Sequence, residues 1–447
     1  MIRFQKALVT VILIVTASAS LFFGDKSVKL QSYLRGFTGT HVYTLPVVHL
    51  SYKLFAIFIL FVLALKYLWS WLTSPLIYEC DLVDTVHENK REKANDIRRR
   101  RKIGDLPPVY PNGWFFLTLS IDLPVKEVKN VLVLGEHLVL FRGEDGSAHV
   151  LDAYCPHLGA NISIGGVVKG NCIQCPFHGW CFEGYTGTCV DIPYSDTVPQ
   201  FAKIKSWNSI EINGRIYVWF HAEDVEPEWR PEELECLEKW KYCGQTIHYV
   251  NCHIEDIPEN GADLNHFNFL HTPFVSAGRN LNKIFKYSKN FFEHEWVASW
   301  RPLEEEETHC SELTLVQKVM VLGNHLPFLD VHISAKQIGP GIVYMKLISI
   351  LGDVVIIQEV TPVEPLLQKL TQTCYTSSLT FFGKLVLYAE AIQLERDVMI
   401  WNHKTYISKP LLVKEDNEIK KHRQWFSQFF SKNSPRLTMS KKDTLEW

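Results

Sequence analysis

Two apolar stretches near the N-terminus show no amphipathic period. Residues 7–23 run from Ala7 to Phe23 through Leu8, Val11, Ile12, Leu13, Ile14 and Val15, a length that suits either a signal-peptide core or a short span. Residues 54–74 are apolar without a break from Leu54 to Leu65, and Lys66 interrupts them only near the end. Trp69 and Trp71 sit there like interfacial anchors, and the stretch predicts a membrane-crossing helix. From 113 to about 221 the pattern changes to short alternating runs, such as Val131–Leu134, Leu138–Phe141 and Ile216–Phe220. Gly, Asp and Asn separate them, which predicts an antiparallel β domain. Further on, strands are expected around Ile342–Leu351 and Val354–Val360, with helices around 256–271 and 380–402. The Pro-rich segment 103–112 reads as a linker and the Glu/Pro-rich segment 222–236 as a hinge. The fold class is α+β in three parts: a membrane anchor over 1–105, a β domain over 106–225, and a mixed domain over 226–447.

Charge adds topology to this picture. Lys90, Arg91 and Lys93, then Arg98 to Arg101 and Lys102, follow the second apolar stretch. Positive charge beside a span stays on the cytoplasmic side, so the rest of the chain is expected to face the cytosol. The same cluster suits anionic lipid, although a topology signal alone explains it. The formal net charge of −3 gives no reason to propose a nucleic-acid partner. Eleven cysteines, an odd number, do not read as a secreted disulfide framework. Cys172, Cys181 and Cys189 lie close enough for a local disulfide, but free thiols fit a reducing compartment better. No G-x-G-x-x-G loop follows a strand, so electrons from NAD(P)H are expected through a separate reductase.

Candidate chemistry is concentrated in two places. Cys155 and His157 in C-P-H, then Cys175 and His178 in C-P-F-H, stand seventeen residues apart. Two thiolates and two imidazoles at that spacing suit a two-iron, two-sulfur cluster of the Rieske type, with cysteines on one iron and histidines on the other. Zinc accepts the same ligands, but zinc fingers group Cys with Cys and His with His, whereas each half here is mixed. The second place is E-N-G-A-D-L-N-H-F-N-F-L-H, residues 259–271. Asp263 and His266 share a helix face. His271 lies about 140° further round, so both histidines reach one metal only if the helix bulges or ends. A buried core histidine is the plainer alternative for either one.

The motifs G-W-F at 113–115, L-F-R-G-E-D-G at 140–146, Y-C-P-H-L-G-A-N at 154–161, C-P-F-H-G-W at 175–180 and R-I-Y-V-W-F at 215–220 resemble the Rieske non-haem iron oxygenase family. The order E-x3-D-x2-H-x4-H over 259–271 matches that family too. The resemblance implies an antiparallel β Rieske domain followed by an α+β helix-grip-like catalytic domain. It makes His266 and His271 ligands of a mononuclear Fe(II), with Asp397 as the carboxylate of a facial triad that leaves positions open for dioxygen. Glu390 and Glu395 are rivals for that third place, and a solvated acidic helix face is the other alternative. Asp263 would lie between His178 of one chain and His266 of another in a homotrimer, orienting both rings; a helix cap is its plainer role.

The spans, the basic stretch, the entry L-P-P-V-Y-P-N-G-W-F, G-P-G at 339–341 and I-Q-E-V-T-P-V-E-P at 357–365 look like the Neverland-type cholesterol 7-desaturases. That likeness implies oxygen-dependent 7,8-dehydrogenation of a sterol at a membrane, by default the endoplasmic reticulum. A sterol hydroxylase is the near alternative, and a membrane-bound Rieske electron carrier the remote one. Phe267, Phe269 and Phe274 are candidates for an apolar pocket wall, though ordinary core packing is the plainer and preferred reading of any one of them.

Overall fold

The computed structural model describes residues 52–80, 104–281, 284 and 292–437. The apolar stretch 7–23 and the basic cluster 90–102 lie outside the described residues. The chain divides into two units, Met1–Ser74 and Pro75–Trp447.

In the first unit the second apolar stretch forms helix α1, Tyr52–Thr73. Its 22 residues span about 33 Å at 1.5 Å per residue, the thickness of a hydrocarbon core. By length and composition, Ala56–Thr73 is able to cross a membrane. Phe58, Phe61 and Trp69 are exposed, as lipid-facing side chains would be.

The second unit begins with three small antiparallel sheets. One orders Ser209–Ile212, Arg215–Phe220 and Gly113–Leu119; the next, Val128–Val133, Glu136–Arg142 and Ala148–Asp152. The third joins Val167–Lys169, Cys172–Gln174, Cys181–Glu183 and Cys189–Asp191. These are the short alternating runs of the sequence. Their turns are chosen by residue type: Asn213 and Gly214 both take positive φ, 55° and 68°, between strands that end at Ile212 and restart at Arg215. Two left-handed residues match the twist of a two-residue hairpin.

Beyond them lies a nine-stranded sheet. Its order is Leu76–Cys80, Lys241–Val250, Leu367–Thr376, Gly352–Glu364, Ile342–Ser349, Val331–Ile338, Cys310–Val321 and Phe292–Pro302, with the short Asn324–His325 paired to Cys310–Val321. All neighbours are antiparallel except the first pair, where Leu76–Cys80 lies parallel to Lys241–Val250. Among the described residues, the unit's principal α-helices are α2, Asp256–Ala262; α3, Leu264–Leu270; α4, Thr380–Trp401; and α5, Asn417–Phe426.

The small sheets and the large one share a core. Val109, Phe115, Leu138 and Val150 belong to one buried cluster with Val250, Val360, Leu370, Leu394 and Val398. Val109 shows that the segment read as a linker is packed in place, and its N–H bonds to the Pro435 carbonyl. Trp229, in the segment read as a hinge, stacks on His309 and accepts the Trp114 indole N–H at its carbonyl. An ion pair fastens the same junction. Arg215 Nε lies 2.8 Å from Glu359 Oε1, with both side chains fully buried, and the Tyr217 hydroxyl donates to the same oxygen at 2.9 Å.

Candidate metal centres

Cys155–His157 and Cys175–His178 sit on two loops built alike. In each, the glycine four residues after the cysteine returns its N–H to the cysteine carbonyl, Gly159 at 2.9 Å and Gly179 at 3.1 Å. Each cysteine N–H donates in turn to the residue five places on, Ala160 or Trp180. The glycines hold φ of +72° and +78°, where a side chain is strained, and a Cβ on Gly179 would lie 2.8 Å from Pro193 Cγ. The loops present Cys155 and Cys175, both 3% exposed, beside His157 and His178, whose rings stand 4.7 Å apart. Trp180 stacks on His157 at 4.8 Å and 6°.

Burial pushes the Cys155 thiol up to about 11, and Cys175 alongside adds to the shift. His157 Nδ1 is buried with no hydrogen-bond partner. Two buried sulfurs and an orphaned ring nitrogen are a donor set that lacks an acceptor, and a cluster with thiolate and imidazole ligands satisfies it.

The second centre forms where α3 ends. Asp263 separates α2 from α3, and its carboxylate accepts the His266 N–H at 3.4 Å as an N-cap. The single helix expected over 256–271 is thus two short ones. α3 stops at Leu270, and His271 takes φ −104° and ψ 3° at the C-cap, leaving the helical path. That break brings the two histidines together despite their spacing, with ring centroids 5.1 Å apart. Asp397 reaches the same point from α4, its Oδ1 3.2 Å from His271 Nε2. One donor atom each from His266, His271 and Asp397 lie within 4.8 Å of one another.

Each imidazole has its second nitrogen engaged. His266 Nδ1 bonds to the Asp263 carbonyl, and His271 Nδ1 to Gln393 Oε1 at 2.9 Å. A carbonyl oxygen on Nδ1 requires the proton there and leaves Nε2 as the bare donor. Burial opposes a charge on His271, but Asp397 outweighs it and raises its pKa. A cation at this point would replace that proton as the partner of Asp397.

The rival carboxylates are placed elsewhere. Glu395 is two residues from Asp397, about 200° round the helix. It takes the Tyr78 hydroxyl and an Arg279 Nη1, the latter at 2.8 Å, with His248 Nε2 3.6 Å away. Burial would raise its pKa, yet His248, Tyr78 and Arg279 together lower it. Glu390, two turns before Asp397, lines a cavity instead, and burial raises its pKa. Glu259 belongs to another cluster with Glu255 and His422. There the Arg423 guanidinium forks onto Glu259 and the Tyr406 hydroxyl donates to Glu255 at 2.8 Å.

The cavity measures about 790 Å³, including the open space at its mouth. Apolar side chains such as Val275, Trp296, Leu347 and Phe382 dominate its wall, and Gln393, the partner of His271, belongs to it. Phe267 packs against Trp296 and Phe274 stacks on His294, while Phe269 is exposed. Sequence reasoning missed Gln393 and Trp296, whose indole N–H donates to the His271 carbonyl at 3.2 Å. Gln393 was within reach of it: four residues before Asp397 on one helix, it shares that residue's face.

Two family models match the chain. Residues 113–202 match the model of the Rieske 2Fe–2S domain, and residues 218–430 that of the 3-ketosteroid 9alpha-hydroxylase C-terminal domain. The chain is 48% identical over 389 residues to cholesterol 7-desaturase nvd of Xenopus laevis, covering 85% of this chain and 86% of that protein. It is 30% identical over 365 residues to a probable 3-ketosteroid-9-alpha-monooxygenase, oxygenase component, of Rhodococcus rhodochrous, covering 75% and 84%. Among solved structures, the QL mutant of Pseudomonas putida NdmA with caffeine overlays at a TM-score of 0.54 and 17% identity, covering 75% of this chain and 98% of that one. That likeness is one of fold.

Proposed function

The chain belongs to the cholesterol 7-desaturases, a branch of the Rieske oxygenases, and from that premise we infer that it removes one hydrogen each from C7 and C8 of cholesterol. The reaction takes cholesterol, one O2, two electrons and two protons to 7-dehydrocholesterol and two waters. The observation that carries the reading is the gathering of His266, His271 and Asp397 beside an apolar cavity, with Gln393 belonging to both.

The donor sets fit the two groups the family uses. Cys155, His157, Cys175 and His178 would hold the Rieske cluster, and His266, His271 and Asp397 the mononuclear iron. When bound, the first stores single electrons and the second activates dioxygen. The protein's own part is positional. The Asp263 carbonyl and Gln393 fix both imidazole tautomers, and Trp296 steadies the His271 main chain. The apolar wall orients the sterol and excludes water. Asp263, whose own carbonyl and carboxylate already hold His266 Nδ1 and the His266 N–H, is also the residue to bridge the two centres across a trimer interface, accepting from His178 of a neighbouring copy.

Further assignments belong to the same reading. Residues 106–225 form the Rieske domain and 226–447 the catalytic domain. Electrons come from NAD(P)H through a separate reductase. Helix α1 anchors the protein in the endoplasmic reticulum membrane, with the basic cluster over 90–102 keeping the catalytic domains in the cytosol.

Two measurements test the proposal. Anaerobically reconstituted protein should contain three irons per chain; two would support a carrier without a mononuclear site. Turnover of cholesterol with a reductase under labelled dioxygen should give an unlabelled conjugated diene absorbing in the ultraviolet. Label retained in the product would make the chain a sterol hydroxylase.

A further inference from the structure

The wall of the cavity is almost wholly apolar, so its few polar side chains decide how an amphipathic guest lies in it. Four are present: Gln317, Ser349, Glu390 and Gln393. Ser349 has its hydrogen bonding committed, while Gln393 and Glu390 share the Asp397 face of the ligand helix, and Gln393 spends its oxygen there. Ser349 Oγ donates to the Gly352 carbonyl at 2.9 Å and accepts the Leu351 N–H at 3.3 Å. Gln393 Oε1 takes both His271 Nδ1 and an Arg396 Nη1 at 2.8 Å.

Gln317 differs. One end of its amide meets His294 Nδ1 at 2.8 Å, and the other end has no partner among the described residues. Whichever way the amide is turned, one polar atom is spent on His294 and one is left for the cavity. A hydroxyl, which both donates and accepts, suits either orientation.

Its position is also informative. His294 lies 5.6 Å, ring to ring, from Trp296, and the Trp296 indole binds the His271 carbonyl. Gln317 therefore stands on the metal side of the cavity. The opposite reference point is the turn at Ile350 and Leu351. Both residues line the cavity, yet they are 71% and 61% exposed, which marks them as its mouth.

We propose that Gln317 receives the 3β-hydroxyl of the sterol, which enters hydroxyl first and leaves its alkyl tail toward Ile350 and Leu351. Two features of the sterol agree with this. C7 is only four carbon–carbon bonds from C3, so a hydroxyl held near the metal side keeps the reacting carbons there. The tail is the part that tolerates an apolar, exposed mouth. The proposal rests on the reading of this cavity as the sterol site. It adds a residue that would reject sterols lacking the hydroxyl, because a half-buried amide that the guest covers and leaves unpaired penalises them.

The test compares full-length wild-type protein with Gln317→Leu, using cholesterol and cholest-5-ene, which lacks the hydroxyl. Equilibrium binding of each radiolabelled sterol is measured alongside iron content. Gln317→Leu should keep three irons per chain and weaken cholesterol binding by on the order of tenfold, the usual result of stranding one hydroxyl. Cholest-5-ene should bind both proteins alike. The ratio of ratios isolates the hydroxyl from any general loosening of the cavity. Ser349→Ala serves as a second variant and should leave the cholesterol preference intact. Equal losses for both sterols, or none for either, would overturn the assignment to Gln317. Wild-type protein that binds neither sterol would overturn the reading of the cavity itself.

Discussion

Gln393 Oε1 stands 2.9 Å from His271 Nδ1, so a neutral amide, with no charge of its own, sets the tautomer of a candidate iron ligand. A carboxylate there would make the imidazole more basic; the amide orients it without adding charge. The buried Arg396 donates to the same oxygen and also to the Pro273 carbonyl, which ties the helix to the loop after His271. Gln393→Ala should therefore leave the Rieske signal intact. It should weaken the mononuclear iron by about 10–100-fold, the usual effect of losing such a partner. Competition with a ferrous chelator measures this directly.

Asp397 and Glu395 separate ligand from scaffold on one helix. Asp397→Ala should reduce iron from three per chain to two and abolish diene formation, while the spectrum of the reduced cluster persists. Glu395→Gln should keep all three irons. It replaces a charged acceptor of Tyr78 and Arg279, and the melting temperature should fall by an amount corresponding to about 1–3 kcal/mol. An Asp397→Ala protein that still holds three irons would move the third ligand elsewhere.

These two carboxylates also mark what the sequence could and could not say. The cluster loops were legible because C-x-H and C-x-x-H are local motifs, and the loop hydrogen bonds are local too. The histidine pair was harder. A regular helix puts His266 and His271 about 140° apart, and nothing short-range announces that α3 ends at Leu270. The choice among Glu390, Glu395 and Asp397 required knowing which side of α4 faces α3. Helical spacing groups Glu390 and Gln393 with Asp397 and sets Glu395 apart, but it does not say which face is the site. The strand Leu76–Cys80 was invisible for a similar reason: five residues straight after a membrane-type helix carry no period, and only pairing with Lys241–Val250 defines them.

The Arg215–Glu359 pair, buried between a small sheet and the large one, offers a test of how the two halves are joined. Removing one partner strands the other charge in the interior. Glu359→Ala should destabilise by about 3–5 kcal/mol, whereas replacing both residues with apolar ones of similar volume should recover most of that loss. Denaturant unfolding of the single and double variants in a Pro75–Trp447 protein, compared with its unmutated form, gives the numbers. If the single variant alone proves harmless, the junction is held by its shared apolar core.

His422 makes a pH signature that activity assays would miss. Trp300, Trp425 and Phe426 surround its fully buried ring, and neither ring nitrogen has a hydrogen-bond partner. Burial, helped by the nearby Arg423, pushes its pKa from 6.5 down to about 3. Between those values the unfolded chain takes up a proton that the folded chain refuses. Stability present above pH 6.5 is thus lost as pH falls toward 3, at up to about 1.4 kcal/mol per pH unit. Glu255 beside it runs the other way. Burial raises its carboxyl from 4.5 to about 7, so its contribution is present below 4.5 and lost as pH rises through 7. The two slopes oppose each other from pH 4.5 to 6.5 and mask one another in the wild type. His422→Phe removes one of them and keeps the ring in its aromatic cage. That variant should gain stability relative to wild type as pH drops from 7 to 5, and its melting temperature should then rise on acidification until Glu255 is protonated in both states. Parallel pH profiles for the two proteins would mean that His422 finds a partner, a bridging water or an ion, that lets it take up a proton when folded.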